Sequence, residues 1–325
     1  MKDPLGFEKP LLELSDKIAH LQKGAGSDAK ESDRKNRTEE IAKLEKKRSL
    51  LHQEIFSKLT PWQITQIARH ADRPATSHYI EAIFEDFTEL HGDRLYGDDQ
   101  SIIGGLARFN GRSVVVIGHQ KGKSIKDRIL RNFGMPHPEG YRKALRLMQM
   151  AERFHKPIIT FVDTPGAYPG IGSEERGQSE AIAKNLAVMS QLKCPILSIV
   201  IGEGGSGGAL ALSVADRILM LQYAIYSVIS PEGCAAILWN DERKSEEAAL
   251  ALKMTAPELF RLGIIDEIIS EPVGGAHRDV RKMTETMAGV IGKQISDLLT
   301  IPMEERLQQR YNRFRKIGAY SEETV

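Results

Sequence analysis

Three runs of the 325-residue chain are apolar almost throughout and rich in β-branched residues, at 114–117, 158–162 and 196–201. Each closes on a turn that carries glycine or proline, as strands do. Between them lie segments of helix length and helix-forming composition, 139–155 and 174–192. Strands without polar alternation are buried on both faces, and intervening helices supply the cover, so the pattern predicts parallel strands in an α/β fold. A further strand is expected at 226–229, followed by Ser230-Pro231-Glu232-Gly233, where a hydroxyl cap and a proline favour a helix start.

The ends of the chain have a different texture. Ile41, Leu44, Leu51, Ile55 and Leu59 fall at three- and four-residue spacings or their sums, and 27–48 is dense in charge. This reads as an amphipathic helix with a solvated face, or as a binding arm around Asp28 to Arg37. Residues 1–60 are expected to form a helical extension and 61–275 the α/β core. Residues 276–325, which follow Pro272-Val273-Gly274-Gly275, are expected to close the chain as a helical segment.

Hydrophobic residues make up 41% and charged residues 27%, which excludes a chain disordered or coiled-coil throughout. Lys and Arg number 45 against 44 Asp and Glu, leaving +1, so net charge draws the chain to neither nucleic acid nor an anionic membrane, and any anion site is local. Cys194 and Cys234 belong to no Cys-x-x-Cys and no histidine cluster; they are expected reduced and buried, with no metal bound by this chain. Residues 1–10 lack the apolar core of a signal peptide, and the apolar stretch 195–201 is far short of the roughly 20 residues of a membrane helix, so a cytoplasmic protein is expected.

Two glycine-bearing segments carry candidate chemistry. Gly118-His119-Gln120-Lys121-Gly122-Lys123-Ser124 nearly makes a phosphate loop, but three residues rather than four separate its glycines. Asp163-Thr164-Pro165-Gly166 matches the Asp-x-x-Gly of nucleotide switches, yet no Asn-Lys-x-Asp is present to read guanine; a P-loop-like nucleotide hydrolase is one alternative. The second segment, 202–212, packs five glycines into seven residues after an apolar run. Such a turn lets backbone N–H groups approach a phosphate or a developing oxyanion. Gly202, Gly204 and Gly207 fit a dinucleotide fingerprint, but Asp216 comes too early to end a second strand. Gly204-Gly205-Ser206-Gly207-Gly208 fits a nucleophile elbow, but a serine hydrolase needs a later histidine and His277 is the only one after His155.

Asp163-Thr164-Pro165-Gly166-Ala167-Tyr168-Pro169-Gly170, Glu174-Glu175-Arg176-Gly177-Gln178, the 202–212 segment and Tyr226-Ser227-Val228-Ile229-Ser230-Pro231-Glu232-Gly233 occur in this order. Together with Arg131-Asn132-Phe133-Gly134-Met135-Pro136, they resemble the carboxyltransferase alpha-subunit family of bacterial acetyl-CoA carboxylases across nearly the whole chain. The resemblance implies a crotonase-like (ClpP/crotonase) ββα spiral core with oxyanion-forming turns at an intersubunit cleft. It implies transfer of a carboxyl group from carboxybiotin, on the biotin carboxyl carrier protein, to acetyl-CoA, giving malonyl-CoA for fatty acid synthesis. A carboxyltransferase beta subunit, in a heterotetramer of two alpha and two beta chains, would hold the acyl-CoA oxyanion hole and a zinc ribbon. ATP would be used by the biotin carboxylase component and not by this chain.

By the same resemblance, the backbone N–H groups of Gly207 and Gly208 would stabilise the biotin ureido oxygen, with Gly204, Gly205, Ser206, Gly166, Ala167 and Tyr168 along the biotin cleft. The basic stretch Lys121, Lys123, Lys126, Arg128 and Arg131 supplies candidates for the CoA phosphates across the subunit boundary. The competing reading from another class is a non-catalytic scaffold that only completes the partner's site.

Overall fold

A computed structural model describes residues 5–23 and 31–318, with side chains in the second span from residue 35 onward. Among the described residues eight strands form one sheet: β1 (Glu85–Glu89), β2 (Ile102–Phe109), β3 (Arg112–His119), β4 (Ile158–Thr164), β5 (Ile196–Gly205), β6 (Arg217–Leu221), β7 (Ile225–Ser227) and β8 (Glu267–Ile269). Their order is β1-β2-β3-β4-β5-β6-β8, with β7 paired to β5. The three apolar runs of the sequence lie in β3, β4 and β5, and β4 is buried along its whole length.

From β3 onward every pairing is parallel, as the apolar runs and intervening helices predict. The expectation of parallel strands fails at one edge, where β1, β2 and β3 are antiparallel. The cause is local. Asn110 and Gly111, both at positive φ (47° and 73°), join β2 to β3 with Phe109 opposite Arg112, the two-residue hairpin that an Asn-Gly pair favours.

The segment expected as one helix at 174–192 is two, Ile171–Glu175 and Gln178–Gln191, interrupted by Gly177 at φ 81°. The other central helix, Pro138–Arg153, turns Tyr141, Ala144, Leu147, Met148 and Ala151 into the core. Ser230 caps the helix Pro231–Trp239 by accepting from the Gly233 N–H at 3.1 Å.

At the N-terminus, helices Lys9–Lys23 and Glu31–Ser57 settle on the core through Leu11 and Phe56, which pack with Ile67 and Tyr223. Residues 27–30 of the charge-dense segment lie outside the described residues. At the other end, helix Val280–Thr300 buries Met283, Met287, Ile291 and Ile295 in the central core. Helix Met303–Arg315 follows it. Cys194 and Cys234 are free and buried. Among the described residues no helix is long and apolar enough to cross a membrane, and no group of three or more His, Cys, Asp or Glu is placed to hold a metal ion.

Candidate active site

The C-terminal ends of parallel strands are where α/β sheets place ligands, because side chains and loops leave the sheet there. β5 is the longest strand. Its first half pairs with β4 and β6, and its last three residues pair with β7 while Gly204 still meets Thr164 of β4 across a register shift, so the glycine turn leaves the sheet between the ends of β4 and β7. The turn then enters the short helix Ser206–Leu210, with Ser206 at φ 52°. Gly207 and Gly208 stand in the first turn of that helix, where backbone N–H groups have no carbonyl of their own helix to meet.

The structure brings the predicted cleft glycines together with the 163–170 loop. A Cβ on Gly205 would run into the Pro165 carbonyl, and one on Gly208 would lie 2.6 Å from the Ala167 nitrogen and 2.7 Å from the Gly166 carbonyl carbon. Only glycine allows these two backbones to touch. Gly207 differs, since a Cβ there meets nothing nearer than Ile182 at 3.7 Å. Beside it opens a groove of about 320 Å³ between Leu210, Tyr226, Val228, Leu259 and Phe314, with polar atoms at Ser206, Ser227 and the backbone. Tyr168 lies elsewhere: its ring packs on His137 at 4.4 Å between centroids, and its backbone N–H donates to the Pro136 carbonyl at 3.0 Å.

On the other side of the turn is an ion cluster that sequence reasoning missed. Lys121 Nζ lies 2.8 Å from Asp163 Oδ1 and 3.2 Å from Glu203 Oε2, and Arg69 Nε lies 2.7 Å from Glu203 Oε1. Asp163 Oδ1 also accepts from the Glu203 N–H at 2.9 Å. Burial alone would lower the Lys121 pKa, but Asp163 and Glu203 outweigh it and raise it. Burial alone would raise the Glu203 carboxyl, but Lys121 and Arg69 hold it below the usual carboxylate range. Both groups stay charged at neutral pH, and they clamp the peptide that leads into the turn.

Lys121, Lys123 and Arg128 line one cleft of about 210 Å³ with Arg69, Arg73 and Phe133. Lys121 is held by two carboxylates and Arg73 is bidentate to Glu271 at 2.9 and 2.7 Å. Among the described residues Lys123 and Arg128 have no carboxylate at salt-bridge distance. Arg131 is not brought into the cleft: its Nε lies 2.8 Å from Asp127 Oδ1 and its Nη1 donates to the Gln100 carbonyl at 2.8 Å. Lys126 is exposed and outside the lining. The near phosphate loop is not a cradle either, because Gly122 packs against the backbone of Asp127 and Arg128. His277, the histidine a hydrolase would need, stacks on His70 at 4.0 Å and forms no hydrogen bond with Ser206.

Beneath the site sit two fully buried groups, His119 and Tyr141. His119 Nδ1 accepts from the Asp163 N–H at 3.4 Å while its Nε2 is unpartnered, and the unpartnered Tyr141 hydroxyl would lie 2.9 Å from a Cβ on Gly208. Neither announces itself in the sequence beyond its place at the end of an apolar strand or on a helix face. Burial drives the His119 pKa down to about 3. As pH falls below the ordinary histidine value the unfolded chain takes up this proton first, so stability is full above that value and is lost below it by roughly 1.4 kcal/mol per pH unit until the folded value is reached. Melting temperatures measured from pH 7 down to pH 4 should therefore fall less steeply for His119→Gln than for the natural chain; equal slopes would contradict this.

The family model described as acetyl co-enzyme A carboxylase carboxyltransferase-like matches residues 4–318. The acetyl-coenzyme A carboxylase carboxyl transferase subunit alpha of Geobacter metallireducens is 56% identical over 318 residues, 98% of each chain, and that of Bordetella pertussis gives the same figures. Among solved structures, transcarboxylase 12S aligns with a TM-score of 0.51 at 23% identity, over 65% of this chain and 41% of that one. A Pseudomonas malonate decarboxylase hetero-tetramer in complex with coenzyme A aligns with a TM-score of 0.56 at 17% identity, over 68% and 89%. These structural likenesses establish the fold, the crotonase type. The sequence likeness extends over almost every element described above, and the chain belongs to the family of acetyl-coenzyme A carboxylase carboxyl transferase alpha subunits.

Proposed function

We propose that this chain supplies the biotin half of the carboxyl-transfer site, completed by a beta subunit that holds acetyl-CoA. The observation that carries this reading is the Gly207–Gly208 turn, two residues in the first turn of a helix, with Gly207 lining an apolar groove and Gly208 buried behind it against the 166–167 backbone. Biotin, delivered on the biotin carboxyl carrier protein, supplies the carboxyl group. The residues fit such a group: Leu210, Tyr226, Leu259 and Phe314 match its carbon skeleton, and the polar groups of Ser206, Gly207 and Ser227 in the same lining match its single urea.

The Gly207 and Gly208 N–H groups would hold the ureido oxygen and stabilise negative charge on it. A donor of this kind is worth roughly 2.7–4 kcal/mol in oxyanion enzymes. Gly204 and Gly205 let β5 approach β7 and the 165–167 loop, and Ser206 serves as a turn residue. Lys123 and Arg128 face the CoA phosphates across the subunit boundary, while Lys121 holds the turn through Asp163 and Glu203. The zinc ribbon belongs to the beta subunit and ATP use to the biotin carboxylase component, in a cytoplasmic heterotetramer of two alpha and two beta chains.

The test is to assemble the chain with its beta subunit and measure malonyl-CoA decarboxylation in the presence of a free biotin derivative. Activity is expected in the complex and not in either chain alone; an assembled complex without activity overturns the reading. Reversing the charge of Lys123 and Arg128 should raise KM for malonyl-CoA about tenfold or more, the scale of a lost charge-assisted hydrogen bond.

A further inference from the structure

Asn132, Phe133 and Gly134 have φ of 48°, 56° and 81°, three successive left-handed residues. Gly134 has a structural reason, since a Cβ there would lie 2.6 Å from Lys121 Cγ, and asparagine visits this region readily. Phe133 has neither justification. A bulky L-residue is strained there, and the side chain gains no burial in return, being 53% exposed.

The loop is tied down on several sides. The Arg131 guanidinium donates to the Gln100 carbonyl at 2.8 Å, Asn132 Nδ2 reaches Asp99 Oδ1 at 3.5 Å, and the N–H groups of Gly134 and Met135 donate to the Arg131 and Asn132 carbonyls at 2.8 and 2.9 Å. These contacts hold Phe133, half exposed, in the lining of the cleft that carries Lys123 and Arg128.

An exposed aromatic face beside two cations without carboxylate partners is the arrangement that receives a planar base bearing phosphates: the ring stacks on the base and the cations take the charge. We infer that Phe133 is a stacking platform for the adenine of the CoA substrate, with Lys123 and Arg128 on its phosphates. This rests on the reading of the cleft given above. A biotin ring, which carries no phosphate, makes no use of the two cations.

The experiment compares malonyl-CoA with malonyl-pantetheine, which lacks the nucleotide, in the assembled alpha–beta complex carrying Phe133→Ala, Phe133→Trp or Phe133→Gly. The ratio of kcat/KM for malonyl-CoA to that for malonyl-pantetheine should fall about tenfold in Phe133→Ala, the scale of one lost base stack, and return in Phe133→Trp. Phe133→Gly should show the same fall while melting no lower than the natural protein, because glycine accepts this φ without strain. An unchanged ratio in a folded, active Phe133→Ala complex overturns the inference, as does an equal loss on both substrates, which would make Phe133 a subunit-assembly residue. A natural complex inactive on both substrates would instead overturn the function proposed for the site, and the inference with it.

Discussion

Replacing Gly208 with alanine should lower kcat of the assembled carboxyltransferase about a hundredfold or more, with KM for malonyl-CoA little changed and the subunits still associated. The added Cβ would sit 2.6 Å from the Ala167 nitrogen, 2.7 Å from the Gly166 carbonyl carbon and 2.9 Å from the Tyr141 hydroxyl. Two of these are backbone atoms and the third belongs to a fully buried phenol, so none can swing aside. The turn itself must move, taking the Gly208 N–H off its line. Losing one preorganised donor costs on the order of 100- to 1,000-fold in kcat in oxyanion enzymes. A donor that acts only as charge develops leaves ground-state binding alone, which is why KM should hold.

Gly207→Ala is the matched control. Its Cβ meets only Ile182, at 3.7 and 3.8 Å, so fold and N–H should both survive and the fall in kcat should be far smaller. Steady-state kinetics on complexes whose composition has been checked by size-exclusion chromatography decide the matter. A Gly208→Ala complex with natural turnover would favour a scaffold role for this chain.

The site was legible to the extent that it is local. Five glycines in seven residues advertise a turn whose backbone comes close to something, and apolar runs at 114–117, 158–162 and 196–201 place that turn at the end of a parallel strand. What the glycines approach is a matter of tertiary structure. The partner of Gly208 is the backbone of 166–167, and the Lys121–Glu203 pair joins residues 82 positions apart. No periodicity encodes such pairs, and the spacing of 118–124 pointed instead toward a phosphate loop. The β2–β3 hairpin was a different failure, because its Asn110-Gly111 signal is plain but β2 itself is broken by Gly104 and Gly105 and lacks the apolar continuity of β3. Those glycines admit the Leu147 side chain and the Thr88–Glu89 backbone, again contacts that chain order does not reveal. The roles of Gly207 and Gly208 came from family resemblance, not from the residue pattern, which left phosphate and oxyanion readings open.

The largest expected loss of stability lies at Arg310, which looked in the sequence like one charge among many near the end of the chain. It is 1% exposed. Its Nε and Nη2 each lie 2.8 Å from an Asp216 carboxylate oxygen, its Nη1 donates to the Met189 and Leu192 carbonyls at 2.7 and 2.8 Å, and Nη2 reaches the Cys194 carbonyl at 3.1 Å. Asp216 in turn accepts from the N–H of Ile196, the first residue of β5. One guanidinium thus fastens the helix Met303–Arg315 to the end of helix Gln178–Gln191 and to the start of the strand that carries the glycine turn. Arg310→Met would keep the apolar stem, take the donor from three carbonyls and leave the Asp216 carboxylate to the Ile196 N–H and to Arg306 Nε at 3.8 Å; removing one partner of a buried pair costs roughly 3–5 kcal/mol. In a chain of this size that is a fall in Tm of roughly 4–7 °C. Because Phe314 and Ile317 wall the groove beside Gly207, the same variant should raise KM for a free biotin derivative while KM for malonyl-CoA holds. Replacing Asp216 with leucine in the same chain should recover part of the lost Tm, since the Asp216 and Arg310 charges then leave the interior together, and only part because Arg306 loses its carboxylate. A Tm within about 2 °C of the natural protein for Arg310→Met would show that the helix is held by its apolar contacts alone.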